Sequence, residues 1–346
     1  MKITKLFLTK EKIALKVPFV TALRRVFFAE FIRLRMETDS GMFAYGEAPA
    51  TKAVTGETLE SIFEAIDGMR PLLKGKTPQE ALLIVHQQLC GSSAKAAVDM
   101  ALVSLMAQEQ NLSFGSYLGI KDYDPLETDI TISLNNAASM LTDAKEAFTA
   151  GMHTLKIKLG GDIEHAVAVS RLLAKELPQA TLLMDANQAW SEAETIAYLQ
   201  AVSDLDIALL EQPVAADALD ALARITAKST IPILADEALF TLADAQAVIE
   251  RRAADMINVK VMKCGGISKA IEIFEYAREK GVQCMLGSMI EGPYSINYTL
   301  YLAFAYRDVI AFVDLDSPLL YKSFPQELDF EYKGSLITPR DRPVLQ

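Results

Sequence analysis

The chain has 346 residues, 51% of them hydrophobic, and a formal net charge of −11 at pH 7. That length exceeds one small domain, since a single barrel of roughly 200 to 250 residues would leave about a hundred over. No apolar run is long enough to span a bilayer, and the negative charge argues against a nucleic-acid or anionic-membrane surface, which needs clustered Lys and Arg. In chain order, Met1–Leu8 alternates like a strand and lacks a signal peptide's apolar region and cleavage site, so the expected location is cytoplasmic. Strand patterns at Ile3–Leu8, Ala29–Thr38 and Met42–Glu47 follow, with a turn at Asp39-Ser40-Gly41. Helical patterns come next at Thr58–Met69, Thr77–Leu89 and Ser93–Gln110. Strands followed by helices describe an α+β domain, expected over 1–122. Two loops in it, near 17–25 and 48–57, are candidates for specificity, because recognition concentrates on loops carried by a rigid scaffold.

From Asp129 onward the rhythm changes to short apolar runs alternating with helical patterns. The strands are expected at Asp129–Leu134, His153–Lys158, Leu182–Asp185, Ile207–Glu211, Ile233–Asp236, Met256–Lys260, Gln283–Gly287 and Ile310–Asp314. Their last residues 158, 185, 211, 236, 260, 287 and 314 fall 24 to 27 apart, the length of one βα unit. Such units close into a parallel α/β barrel, expected over 123–318, whose strand C-termini share one face and carry the chemistry. A single Asp or Lys after a strand is more often a solvated strand end, but a regular series of them describes a site. The three histidines, His86, His153 and His165, show no metal-ligand spacing, and Cys90, Cys264 and Cys284 form no CxxC pair, so reduced thiols are expected.

In an eight-stranded barrel, strands two and six face each other. Lys156 and Lys158 therefore lie across the cavity from Lys260, with Asp185, Glu211 and Asp236 on the three strands between. Three converging carboxylates need a cation, and hard oxygen ligands favour Mg²⁺, with Mn²⁺ as an alternative. A substrate carboxylate held there puts its α-carbon between two lysines, one to remove a proton and one to return it. A free lysine titrates near 10.4, so burial, the metal and Lys156 are expected to disfavour the ammonium form of the base. Strand eight lies opposite strand four, where Asp314 and Asp316 can hold an ammonium group. A carboxylate, an acidified α-carbon and a distant amine describe a dipeptide.

With Lys156-Ile157-Lys158, Asp185-Ala186-Asn187-Gln188, Glu211-Gln212-Pro213, Ala235-Asp236-Glu237, Ile257–Lys260 with Lys263–Gly266, Gly287–Glu291 and Asp314-Leu315-Asp316 in place, the sequence resembles the enolase superfamily. Within that superfamily it resembles the muconate-lactonising-enzyme subgroup and its dipeptide epimerases. The resemblance implies a modified (β/α)₇β TIM-type barrel with the N-terminal domain capping the site and a tail, 319–346, returning to that domain. It implies 1,1-proton transfer with Lys158 and Lys260 as the acid/base pair and Asp185, Glu211 and Asp236 on the metal. Lys156 would help hold the substrate carboxylate, and Asp314 and Asp316 the substrate ammonium. Thr21-Ala22-Leu23-Arg24 resembles the specificity loop of epimerases acting on L-Ala-D/L-Glu, with Arg24 meeting the side-chain carboxylate. Thr131, Ser133, Met289 and Glu291 are further candidate substrate contacts, and a homo-oligomer is a family expectation.

Two alternatives stay open. One is β-elimination or cycloisomerisation on the same scaffold, as in o-succinylbenzoate synthase; such substrates offer no ammonium to the paired aspartates. The other is a non-catalytic ligand-binding barrel. The segment Gly292–Asn297 also departs from the small-residue run that the resemblance implies, which leaves the accepted side chain open.

Overall fold

The computed structural model describes residues 1–21, 24–340 and Leu345. It opens on an antiparallel three-stranded sheet, Ile3–Val20, Arg25–Thr38 and Phe43–Pro49, in that spatial order. Ile32, Leu34 and Met36 alternate inward with Arg33 and Arg35, which is the period-two pattern of a half-buried strand. The expected loop over 17–25 is mostly strand: the first two strands run on as a long hairpin whose tip includes Thr21 and Arg24, while Ala22 and Leu23 lie outside the described residues.

Helices Leu59–Leu73, Pro78–Gln87 and Ser92–Glu109 cover one face of this sheet. Thr58 and Thr77 start the first two through reciprocal side-chain and backbone bonds, so these ends are written locally in the sequence. Ser92–Glu109 is buried on nearly every side because it lies between this sheet and the second domain. The loop over 48–57 holds a short helix, Lys52–Thr55, and ends at Glu57, whose carboxylate accepts the N–H groups of Ser93 and Ala94 at 2.8 and 3.0 Å.

The second domain is a nearly closed barrel of eight parallel strands. In order they are Ile130–Ile132, Thr154–Lys158, Thr181–Asp185, Leu209–Glu211, Ile233–Ala235, Met256–Lys260, Cys284–Gly287 and Ile310–Asp314. Strands one and eight meet at the Thr128–Val313 bridge. Seven crossover helices surround the barrel: Ala137–Thr149, Ile163–Glu176, Glu192–Ala201, Leu219–Thr226, Leu242–Glu250, Ile267–Lys280 and Pro293–Ala305. This is the (β/α)₇β architecture. The last of these helices has no counterpart in the sequence reading; Pro293 through Phe304 are all buried, so it carries no amphipathic stripe to read.

Leu183, Leu209, Leu234, Met256 and Met285 form an apolar floor inside the barrel. Two residues further along strands three, four and five come Asp185, Glu211 and Asp236, so the charged layer sits directly above that floor.

The two domains are joined by a polar contact. Asp99 accepts Ser268 N–H at 3.1 Å and lies 2.9 Å from His86 Nε2. Gly266, at φ 140°, leaves room for that carboxylate, since a Cβ there would come 2.2 Å from it. In the tail, Lys322 N–H donates to Ala14 O at 2.8 Å, and the hairpin Phe330–Lys333 with Leu336–Pro339 pairs with Leu126–Glu127 beside the start of the barrel. Among the described residues no helix is long and apolar enough to cross a membrane.

Candidate active site

One cavity spans the domain junction at the C-terminal ends of the barrel strands. The hairpin contributes Phe19, Thr21 and Arg24, the second N-terminal loop Ala53 and Val54, and the loop after strand seven Ser288, Met289 and Ile290. The barrel contributes Thr131, Lys158, Asp236, Lys260, Asp314 and Asp316. The hairpin is pinned over the mouth by backbone: Leu134 N–H donates to Val20 O, and Val20 N–H to Ser133 Oγ, both at 3.1 Å.

Register brings the charged residues to one level. Lys158 pairs across to Asp185 and Asp185 to Glu211; on the other side Lys260 pairs to Gly287 and Gly287 to Asp314. Lys158 and Lys260 thus stand on strands two and six of an eight-strand ring. Gly287 is required beside Lys260, because a Cβ there would lie 2.9 Å from Lys260 Cε and 2.7 Å from Asn258 Oδ1.

Each of Asp185, Glu211 and Asp236 has a lysine partner. Lys158 bonds Asp185; Lys156, fully buried, lies 2.7 Å from Glu211 Oε2 and donates to Asp314 Oδ2 at 2.6 Å. Lys260 donates to Asp236 Oδ2 at 2.7 Å, and Lys263 to Asp236 Oδ1 at 2.5 Å. Burial would lift the Asp236 carboxyl, but Lys260 and Lys263 outweigh it and hold it well below the usual carboxylate range. Glu211 is pushed up to about 7 by burial and by Asp185, because Lys156 divides its charge among several carboxylates. Burial, Asp236 and Asp185 push Glu237 to about 8, and its Oε2 has no hydrogen-bond partner among the described residues.

At Lys260 and Lys156 the surrounding carboxylates work against the burial that was expected to disfavour the ammonium form. Burial lowers Lys260, but Asp236, Glu211 and Asp314 together more than reverse that; for Lys156, Asp314, Glu211 and Asp185 do the same. Three of the candidate substrate contacts lie off the cavity lining. The Glu291 carboxylate turns away from the cavity to accept Met289 N–H at 2.8 Å and the Ser295 hydroxyl, so it shapes the loop. Ser133 is occupied by the hairpin backbone and does not line the cavity, and Lys156 lies beneath the cavity wall. Thr131 and Met289 do line it.

Several positioning residues had not been singled out. Gln212 Oε1 accepts the N–H groups of Asp236 and Ala238 at 2.9 and 3.1 Å, and Asn258 Nδ2 donates to Glu211 Oε1 at 2.8 Å. Asn187, Gln188 and Gln212 adopt positive φ of 45°, 66° and 35°, strained conformations shortly after Asp185 and Glu211. Their visible signal was the polar residues that the motifs place within three positions of Asp185 and Glu211. Among the described residues, the group of three carboxylates whose oxygens all lie within 4.8 Å of one another is Asp129, Asp314 and Asp316; Asp185, Glu211 and Asp236 do not form so tight a group.

Fold and site together define a superfamily. Residues 3–119 match the N-terminal domain of the mandelate racemase / muconate lactonizing enzyme family, and residues 139–343 the enolase C-terminal domain-like family. The chain belongs to the mandelate racemase / muconate lactonizing enzyme family of the enolase superfamily. It is 54% identical to the L-amino acid-D/L-Glu epimerase of Sulfurimonas denitrificans over 98% of this chain and 100% of that one. Among solved structures, the substrate-liganded L-Ala-D/L-Glu epimerase of Bacillus subtilis superposes with a TM-score of 0.95 at 39% identity, over 100% of this chain and 98% of that one. The Enterococcus faecalis dipeptide epimerase complexed with Mg and L-Leu-L-Tyr gives a TM-score of 0.92 at 31% identity, over 100% and 99%. Epimerases are isomerases, and the chain is an enzyme of that class.

Proposed function

We propose that the protein is a Mg²⁺-dependent dipeptide epimerase that inverts the α-carbon of the C-terminal residue, with L-Ala-D/L-Glu as its preferred kind of substrate. The observation that carries this reading is one cavity bounded by Lys158 and Lys260 on opposed strands, by Asp314 and Asp316, and by Arg24. It offers two proton carriers, an anionic seat for an amine, and a cation for a side-chain carboxylate. The half-buried Arg24 guanidinium has no ion-pair or side-chain hydrogen-bond partner among the described residues, and burial lowers it to about 10, so an anionic partner would stabilise it.

A hard divalent cation suits the donors. Asp185, Glu211 and Asp236 offer only oxygen, and the buried, unpartnered Glu237 Oε2 and Asn187 Oδ1 mark uncompensated polar groups beside them. When bound by those three carboxylates, Mg²⁺ supplies a Lewis acid that offsets the charge built on the substrate carboxylate as the α-proton leaves. Lys158 takes the proton from one face of the α-carbon and Lys260 returns one to the other, so one lysine enters as free amine and its opposite as ammonium. The roles exchange for substrate of opposite configuration. Asp314 and Asp316 fix the N-terminal ammonium, and Arg24 fixes the γ-carboxylate. Together these anchors set the α-carbon between the lysines. The hairpin and the Met289–Ile290 loop exclude water.

Proton NMR in D₂O with Mg²⁺ tests this on L-Ala-L-Glu, L-Ala-D-Glu, L-Ala-L-Leu and L-Ala-L-Lys. The C-terminal α-proton signal should disappear while the diastereomer grows in, fastest for the glutamate pair. No exchange with any member would turn the assignment toward elimination chemistry.

A further inference from the structure

Asp129, directly before strand one, is 1% exposed, and its N–H donates to Val313 O at 3.0 Å. It does not line the cavity, yet its carboxyl lies with those of Asp314 and Asp316 inside a 4.8 Å cluster. Neither Asp129 oxygen has a hydrogen-bond partner among the described residues. Its neighbours are served: Asp316 Oδ2 accepts Thr131 N–H at 2.8 Å, and Asp314 Oδ2 accepts Lys156 at 2.6 Å. The charged groups facing Asp129 are Asp314 and Asp316 at the end of strand eight, Lys156 on strand two and Glu211 on strand four. Three carboxylates therefore crowd around one ammonium, which is itself shared with Glu211.

Three ionised carboxylates in so small and dry a space are not sustained by one lysine, so the cluster keeps a proton. Burial, reinforced by Asp314, raises Asp129 well above its ordinary range, and burial with Asp314 lifts Asp316 to about 6. Lys156, Lys260 and Lys158 together outweigh burial at Asp314 and hold that carboxyl low. The retained proton therefore belongs on Asp129.

We propose that Asp129 is a positioning residue of the ammonium subsite, standing behind Asp314 and Asp316 and holding the proton that a cationic head group displaces when it binds. This rests on the reading of that pair as the seat of the substrate amine. The step balances: the ammonium brings one positive charge, the Asp129 O–H bond breaks, and its proton leaves by way of Asp316 to solvent. The charge held inside the subsite is unchanged, one ammonium entering as one proton leaves to solvent. The subsite thus accepts an ammonium without building up charge in the barrel, and a ligand lacking the amine leaves Asp129 protonated.

The test is titration calorimetry of the Mg²⁺-loaded full chain with L-Ala-L-Glu, in buffers of different ionisation enthalpy, for wild type and Asp129→Asn. The isosteric neutral amide cannot give up a proton, so wild type should release about one proton more per site than the variant, in keeping with proton linkage. Equal counts overturn the proposal; a purely structural Asp129 would leave the count unmoved. Should the variant fail to fold, difference infrared spectroscopy of the wild type decides: the C=O band of a protonated carboxyl should vanish as the dipeptide binds, and its persistence overturns the proposal. Absence of binding heat with any dipeptide would overturn the ammonium subsite itself, an outcome distinct from equal proton counts.

Discussion

Lys158 and Lys260 differ in what surrounds them. Lys158 faces Asp185, whereas Lys260 shares Asp236 with Lys263, a third cation fully enclosed behind the carboxylate. Because each lysine serves one face of the α-carbon, Lys158→Ala and Lys260→Ala should each abolish net epimerisation while leaving α-proton exchange for one configuration. Deuterium incorporation into each diastereomer checks this, and full epimerisation by either variant would sink the two-base assignment. Arg24→Leu removes a charge-assisted contact of about 1.5 to 3 kcal/mol, so kcat/KM for L-Ala-L-Glu should fall roughly 10- to 100-fold. L-Ala-L-Leu should be little affected; an equal loss for both substrates would deny Arg24 a role in selectivity. The carboxylate and lysine series was legible at this scale because each member ends an apolar run. The roles of Lys263, which entered only as part of a motif, and of Asp129 were not, since what they face depends on how the barrel brings separate strands together.

The helix Pro293–Ala305 shows how an element can couple two domains. Glu47, fully buried on the third strand of the N-terminal sheet, accepts the N–H groups of Tyr294 and Ser295 at 2.8 and 3.1 Å. It also accepts Arg33 Nε at 2.7 Å. The N-terminal domain thereby fixes the start of the helix that directly follows the cavity loop Ser288–Ile290. Glu47→Ala strips two helix N–H groups and one arginine of their acceptor, and breaking such a pair costs roughly 3 kcal/mol given the partial exposure of Arg33. Urea unfolding should register that loss, and KM for the dipeptide should rise with it. Unchanged stability and KM would mean the coupling is not through this carboxylate. The sequence reading found the amphipathic crossover helices but not this one, because period and burial pattern are informative only where one face meets solvent.

For the molecule as a whole, the barrel was legible from a repeat, whereas the long hairpin over the mouth was not, because its outer half packs against the second domain and lacks clean alternation. The same joining of domains encloses acidic groups and sets a pH dependence. Glu211 and Glu47 stand at about 7, Glu237 at about 8 and Asp316 at about 6, each raised above its ordinary value by burial first. A raised carboxyl keeps its proton in the folded state where the unfolded chain has lost it, so stability is full at low pH and falls as pH climbs from about 5 through 8. Asp236 and Asp314, held low, lose their contribution only below about pH 4, and the raised Lys156 and Lys260 lose theirs only above about pH 10; neither offsets the slope between. Metal-free protein should therefore melt at progressively lower temperature across that window. Mg²⁺ binds the deprotonated carboxylates, so its stabilisation, about 2.7 kcal/mol at a hundredfold excess over Kd, should grow with pH and flatten the decline. Calorimetric scans from pH 5 to 8.5 with EDTA or with Mg²⁺ would show it, as would loss of epimerisation in EDTA and its return with Mg²⁺. A Tm that rises with pH in EDTA would contradict the placement of buried acids, while a Tm indifferent to Mg²⁺ would contradict the metal role of Asp185, Glu211 and Asp236.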